Sequence, residues 1–459
     1  MSYDSANKTS HIDIVNNPDV SDFLKECTFM KPPTNDEIDK IKELFINVSL
    51  DIEISLPKNI ITIDSGSYEA KIHNDIPFTN IGYVKLVNSL LKKNELLSLN
   101  NKKFIDPFKI AELIDNNEST TFVLPSSNIK YKNESTTRNG FRLALDEYFE
   151  NIKESSDDRK TNLKTTLFHL ASYRRNSKPD VILLHKCPNC GEPDIEILNI
   201  TESQFCPKCN GRIYATDSLR IHEEVDENSP SNKSALGRLE KTIRHIYLAH
   251  LIRLIEYKHR QNCLGVFNDI AFIINGPLSV AGNAAWVHGS LMKIINEVNV
   301  KMRLKSYSDL LVIGLVSNGL ALVDYARLIE KHLNDNTLLC VSDSFRNKYV
   351  NFDSTPSNTT FGSETYYGQD FIWKSDHSVK VFDIPYPVSS KENLDAFIAL
   401  KSDHANYNNL HKALMMINDL QSSLDDESIA PLIISKKYTT ISLEPGAHVL
   451  DMLTKNNVI

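Results

Sequence analysis

No apolar run in the 459-residue chain reaches the roughly 18–20 residues that a membrane span needs, so no membrane-embedded role is expected. The opening residues MSYDSANKTSHIDIV carry neither a basic end nor an apolar stretch, so no secretory signal is expected. Cysteine is sparse: there are seven, and Cys27, Cys263 and Cys340 stand apart in apolar or mixed surroundings. This usage is not that of a disulfide scaffold and fits a reducing, cytoplasmic setting. Positive charge is also short, with 51 Lys and Arg against 59 Asp and Glu and a formal net charge of −8. Such a surface does not adhere to nucleic acid as a whole, although a local basic groove suffices for an enzyme that acts on it. The balance also suits a protein that docks onto a partner supplying most of the grip. No internal repeat is visible.

What is present is ordinary globular composition, 41% hydrophobic and 24% charged. The length accommodates two or three modules, or one large domain with an insertion. Residues 1–30 are polar and without period, so a loose or partner-ordered arm is predicted. From Asp36 to Val48 the apolar residues Ile38, Ile41, Leu44, Phe45 and Val48 fall on one helical face. Ile81–Leu91 reads as a strand or a mixed segment. Helical spacing marks Phe141–Phe149, Leu163–Ala171 and a long stretch from about Asn232 to Arg260. Beyond it, Ile270–Ile274, Leu310–Val316 and Thr337–Val341 read as strands, alternating with helices over Ala284–Val298 and Leu320–Leu333. That alternation predicts an α/β sheet with helical cover. Phe371–Lys374 and Val379–Ile384 are predicted to form a hairpin. A helical stretch to about Leu420 follows, then strand-like Leu432–Ser435 and Thr439–Leu443, and a short helix after Pro445-Gly446.

Three patterns carry chemistry. Cys187-Pro-Asn-Cys190 and, fifteen residues on, Cys206-Pro-Lys-Cys209 form two Cys-x-x-Cys knuckles. Four thiolates so spaced satisfy tetrahedral Zn2+ in a closed, structural site. A ribbon of this kind binds nucleic acid or protein, or staples an insertion. Second, Asn59-Ile60-Ile61-Thr62-Ile63-Asp64 reads as a buried strand that Ser65-Gly66-Ser67 ends as a turn, setting one carboxylate at its tip. An acid there holds a divalent metal or simply forms the turn. Third, Phe272-Ile273-Ile274-Asn275-Gly276-Pro277-Leu278 repeats that pattern with an amide, a poorer ligand for a hard cation and an ordinary turn residue. Glu240 lies beside the apolar stripe of the long helix, facing a cleft or solvent.

The order IITIDSGS, ALGRLEKTIRHIYLAHLIRLI, IAFIINGPLSVAG, LLVIGLVSNG, YYGQDFIWKSDHSVKVFDIPYP and IAPLIISKKYTTISLEPGAHVLDMLT resembles the NurA nuclease family, from about residue 58 to the C-terminus. The bacterial branch with an inserted zinc ribbon is the nearest likeness, and YATDSLRIHE after the ribbon is similar to it too. The resemblance implies an RNase H-like mixed sheet interrupted by the four-cysteine ribbon. The parts are then an arm (1–30), an N-terminal portion (31–180), the ribbon (181–215) and a C-terminal portion (216–459). It also implies a homodimer, DNA as substrate, Mn2+ or Mg2+ as catalytic ion, and a HerA-like hexameric ATPase as partner, in DNA end processing, repair or antiviral defence. By position, Asp64 and Glu240 match the family's metal-binding acids. Asn275 stands where the family has Asp, Lys436 near an Ala-His pair, and Ser317 where Lys is common. Loss of an anion at Asn275 and gain of a cation at Lys436 weaken a two-metal site. Asp217, Glu223, Glu224 and Asp269 are the acids, and His222 and His448 the imidazoles, available to compensate. The alternatives are an active nuclease, a degenerate fold serving as DNA clamp or assembly platform, and a zinc-ribbon nucleic-acid binder.

Overall fold

The structure, a computed structural model, describes residues 16–28, 31–72, 78–100, 117–152, 161–175, 177–351, 360–422 and 428–439. Thr439–Leu443 past its first residue, the helix after Pro445-Gly446 and His448 lie outside the described residues. Thirteen strands are numbered here along the described chain. They are β1 (Ile46–Asn47), β2 (Asn59–Lys71), β3 (Asn80–Lys92), β4 (Asn117–Ser127), β5 (Val181–Lys186), β6 (Pro193–Leu198) and β7 (Gln204–Phe205). The remainder are β8 (Arg212–Ile213), β9 (Ile270–Asn275), β10 (Leu311–Val316), β11 (Thr337–Cys340), β12 (Gly368–Lys374) and β13 (Val379–Pro385).

Nine of them form one sheet in the order β1-β11-β12-β13-β10-β9-β2-β3-β4. β2, β3 and β4 are an antiparallel meander, while β9 runs parallel to β2 and β10 parallel to β9. A meander whose first strand pairs in parallel with a later strand, which in turn pairs in parallel with the next, is the RNase H-like arrangement. Four further antiparallel strands, β13, β12, β11 and β1, extend that core.

Period-two alternation divides each strand between two faces. On one face Ile61, Ile63, Val84, Leu86, Phe122, Leu124, Phe272 and Ile274 form a core with the Thr137–Asn151, Leu163–Ser172, Lys233–Lys258 and Trp286–Arg303 helices. On the other, Ile60, Ala271, Ile273, Ile313, Phe371, Trp373 and Phe382 pack on the Leu410–Asp419 helix and on Leu432. Burial on both faces explains why β9 and β10 are unbroken apolar runs. A third cluster, around Val316, Ile372 and Val381, is capped by the Ala321–Ile329 helix.

Two expectations are corrected. Ser65-Gly66-Ser67 does not end the strand: β2 continues to Lys71, because β3 pairs with it along its whole length. What ends near Asp64 is the parallel pairing with β9, whose last partners are Ile63 and Ile274. Leu432–Ser435 is not a strand but part of the Ala430–Thr439 helix, where Pro431 suits a helix start. Ile81–Leu91 resolves as strand β3. Asp36–Val48 splits into the Asn35–Lys42 helix, closed by a Thr34–Glu37 capping box, and strand β1. Within the stretch read as an arm, Pro18–Glu26 is a helix with no buried residue.

Gly66 is required where it stands. A Cβ there would lie 2.2 Å from the Thr439 carbonyl oxygen, so the C-terminal helix closes directly on the strand. Gly66→Ala is expected to destabilise the fold by about 1–3 kcal/mol, read as a lower midpoint of urea unfolding.

The long helix also buries two imidazoles. His245 meets the Tyr367 hydroxyl at 2.7 Å and His250 the Thr166 hydroxyl at 2.8 Å. Burial depresses both to about 3, from an ordinary value of 6.5. The unfolded chain therefore binds more protons than the fold as pH drops below 6.5, and stability is lost through that window. The urea midpoint is expected to fall steadily between pH 7 and pH 4, and His250→Gln to flatten part of the slope.

Candidate functional site

The parallel pairing of β2, β9 and β10 ends at one level of the sheet, and a cleft of about 490 Å³ opens there, at the tips of β9 and β10 and beside Ser65 of β2. Crevices at the carboxyl ends of parallel strands are the usual binding positions in open sheets. Ser65 lines it from β2, Asn275 to Pro277 from the end of β9, and Val316 to Leu320 from the end of β10. The Lys233–Lys258 helix supplies Arg238, Glu240, Lys241, Arg244 and His245, and Tyr366 closes one side.

Charge in this cleft is mostly positive: Arg238, Lys241 and Arg244 against the single carboxylate of Glu240. Their spacing of three residues puts the three cations on neighbouring turns of one helix flank. Arg244 donates through Nη1 to the Asn275 carbonyl, while its Nε is buried without a hydrogen bond. Arg238 Nε donates to Glu224 Oε1 at 2.7 Å. Lys241 is exposed at the mouth.

Asp64 is 1% exposed and does not line the cleft. Its Oδ1 accepts from Asn275 Nδ2 at 2.9 Å and from the Ser65 amide at 2.8 Å, and its Oδ2 from Thr439 Oγ1 at 2.7 Å. The neighbour at Asn275 is thus a donor to the acid, where a carboxylate would have joined it around a cation. Asn275 is held in place from below: the Leu278 amide, in the turn that follows it, donates to buried Asp383 Oδ2 at 2.7 Å. Burial, together with the adjacent Asp370, raises Asp383 well above the usual carboxylate range.

Glu240 stands on the other side of β2. Its Oε2 accepts from Ser67 Oγ at 2.6 Å, and its carbonyl accepts from Ser65 Oγ at 2.9 Å. Ser65 and Ser67 share the face of Ile61 and Ile63, against the long helix. Thr62 and Asp64 share the opposite face, where Ser435 and Thr439 of the Ala430–Thr439 helix receive them. The structure therefore brings Asp64 together with Asn275 and leaves Glu240 on the reverse side of the strand. Among the described residues, no three acidic or imidazole groups converge at Asp64 or Glu240 as metal ligands do. As placed, these residues do not fit a shared pair of divalent ions.

Lys436 is exposed, and on its helix Ser435 and Thr439, four apart, make the sheet contacts instead. Ser317 lines the cleft, and its carbonyl accepts from Arg327. The acids available to compensate are committed elsewhere. Asp217 pairs with Arg142, Glu223 with Arg220 and Lys186, Glu224 with Arg238, and Asp269 with Lys58. His222 is buried beside Asp217, and burial pushes it down to about 4. The residues whose roles sequence reading missed include Ser65, Ser67 and Thr439, and the cleft cations Arg238, Lys241 and Arg244. Serines two apart on a strand were the available signal, since they share one face.

The four cysteines do converge. Cys187, Cys190, Cys206 and Cys209 place their sulfurs within 4.8 Å of one another. The Cys187–Cys209 and Cys190–Cys206 separations are both 3.8 Å. Zn–S bonds near 2.3 Å put tetrahedral sulfurs about 3.8 Å apart, so the set fits zinc. The Asn189 and Gly211 amides donate to Cys187 Sγ and Cys209 Sγ, each at 3.4 Å, and hydrogen bonding from the Cys209 amide pulls Cys206 down to about 7. The knuckles sit on the β5–β6 and β7–β8 hairpins. Arg142, 3% exposed, docks them onto the core: it forks onto Asp217 at 2.8 Å and donates to the Arg212 carbonyl at 2.8 Å. Cys206→Ser is expected to abolish stoichiometric zinc in the purified protein, measured by elemental analysis, and to lower the unfolding temperature.

No helix among the described residues is long and apolar enough to cross a membrane. No protein-family model matches the chain, and no curated protein matches it. Among solved structures, the crystal structure of the NurA nuclease from Sulfolobus solfataricus aligns over 95% of this chain and 98% of that one, at 12% identity and a TM-score of 0.24.

Proposed function

We propose that this chain is a NurA-like DNA-binding subunit with a reduced hydrolytic centre, serving as clamp or assembly platform for a HerA-like hexameric DNA-translocating ATPase. The observation that carries the reading is the hydrogen bond from Asn275 Nδ2 to Asp64 Oδ1, beside a cleft lined by Lys241, Arg244 and the Glu224-paired Arg238 against the one lining carboxylate of Glu240. An amide donor against Asp64 satisfies that acid without a metal, and Glu240 lies on the opposite face of β2. Cations on a helix flank, by contrast, are what a phosphate backbone requires. The chain's net charge of −8 assigns that role to a local groove and leaves much of the grip to the ATPase ring. A homodimer beneath the ring, acting in DNA end processing or defence against phage, is part of this reading.

A second reading, a Mn2+- or Mg2+-dependent DNA nuclease, is favoured by one observation. Asp64 stands where β2 and β9 part, the position in this sheet best suited to an acid that meets substrate. Asp64, with the amide oxygen of a rotated Asn275, would then hold the ion, which would supply an activated water.

The two separate in one assay. Linear DNA is incubated with Mn2+ or Mg2+ and the full chain, alone and with the cognate ring ATPase and ATP. Retention of DNA and assembly without cleavage is the expected result. Cleavage that disappears in Asp64→Ala would overturn the clamp and establish the enzyme. Asn275→Asp restores a second carboxylate and is expected to gain Mn2+ binding by calorimetry where the natural chain shows none.

A further inference from the structure

The cleft has features that an internal stretch of DNA backbone does not need. Behind the end of β10, Ser317-Asn318-Gly319 turns the chain, with Gly319 at φ 79°, into the nine-residue Ala321–Ile329 helix. Leu320 occupies the cap position of that helix, and no side chain caps it. Its positive end therefore opens where Ser317 to Leu320 line the cleft. Its first-turn acid, Asp324, faces Arg327 on its own helix at 3.8 Å. Across the cleft stand Lys241, exposed, and Arg244, whose Nε is buried and unpaired. The Glu240 carboxylate on the same wall is occupied by Ser67.

Two arginines occupy the space that a side chain at a neighbouring glycine would take. A Cβ on Gly282 would meet the Arg238 guanidinium at 2.7 Å, and one on Gly276 would meet Arg244 Nη1 at 3.2 Å. Both glycines are left-handed or beyond, at φ 75° and 113°, so the turns that hold the guanidinium groups admit no larger residue without strain. Tyr366 lines another side with Thr365 and Ser279, its ring packed against Phe361 at a ring separation of 4.7 Å. A volume of about 490 Å³ is that of a small-molecule pocket, sized for a nucleotide unit and not for a duplex.

From this juxtaposition we infer that the cleft seats the terminal nucleotide of a single DNA strand, its end phosphate between Lys241, Arg244 and the open end of the Ala321–Ile329 helix, its base against Tyr366. The inference rests on the DNA-binding reading above and specifies which part of the strand the cleft takes. A terminal phosphomonoester is more negative than an internal diester, and cations paired with a helix end reward that extra charge. An aromatic wall accepts any base by its π-face, so the seat selects an end and not a sequence.

The test uses the full chain without added divalent cation. One short oligothymidine is prepared with a 5′-phosphate, a 3′-phosphate or neither, and each competes with a labelled strand in an anisotropy assay. One phosphorylated form is expected to bind about tenfold more tightly than the phosphate-free strand. Lys241→Ala, at an exposed position, is expected to erase that preference while its melting temperature stays that of the natural chain. An abasic terminal residue and Tyr366→Leu are each expected to weaken binding about tenfold, with no further loss when combined. Equal affinity for all three strands would overturn the seat and leave the DNA-binding reading standing. No binding of any strand would overturn both.

Discussion

Strand β2 serves two helices at once, and the alternation of its side chains governs everything built on it. Ser65, Ser67 and Glu69 reach the long helix or the residues that lead into it, Glu69 through Ser231 and the Asn232 amide. Thr62 and Asp64 reach the C-terminal helix through Ser435 and Thr439. Gly66 lets the second of these helices close to backbone contact. A shift of one residue in register would exchange the two sets and bury hydroxyls where apolar side chains belong. The placement of Asp64 and Glu240 on opposite faces is thus a consequence of the strand itself.

The same alternation decides what was legible before the structure. Unbroken runs such as Ile270–Ile274 and Leu310–Val316 announced doubly buried strands, and the Cys-x-x-Cys pairs announced their sulfur cluster, because each signal is local. Ser65-Gly66-Ser67 looked like a turn because serine and glycine favour turns. Pairing with β3 through Lys71 overrode that preference, a contact the local residues do not encode. Leu432–Ser435 misled for the opposite reason: a run of four residues has no period of its own. Asp64 and Glu240 were joined by their order in a resemblance. Only the knowledge of which helix covers which face separates them.

The cleft was the least legible feature. Arg238, Lys241 and Arg244 share a stretch of sequence with many buried apolar residues, and nothing in their local spacing singles them out. They acquire meaning only when Asn275–Pro277 and Ser317–Leu320 arrive from two distant strands to form the opposing walls. Their charge is local, against a chain that is acidic overall, and composition averages it away.

Arg142 has a consequence for how the molecule comes apart. Its guanidinium stays ionised at any accessible pH and is enclosed by Asp217, the Arg212 carbonyl and Asn189. Peeling the hairpins from the sheet would strand that charge, and its partner carboxylate, in an apolar interior. Arg142 therefore ties the ribbon to the body, and the two are expected to share one melting transition. An ion held by the four cysteines would then act as a rivet for the whole.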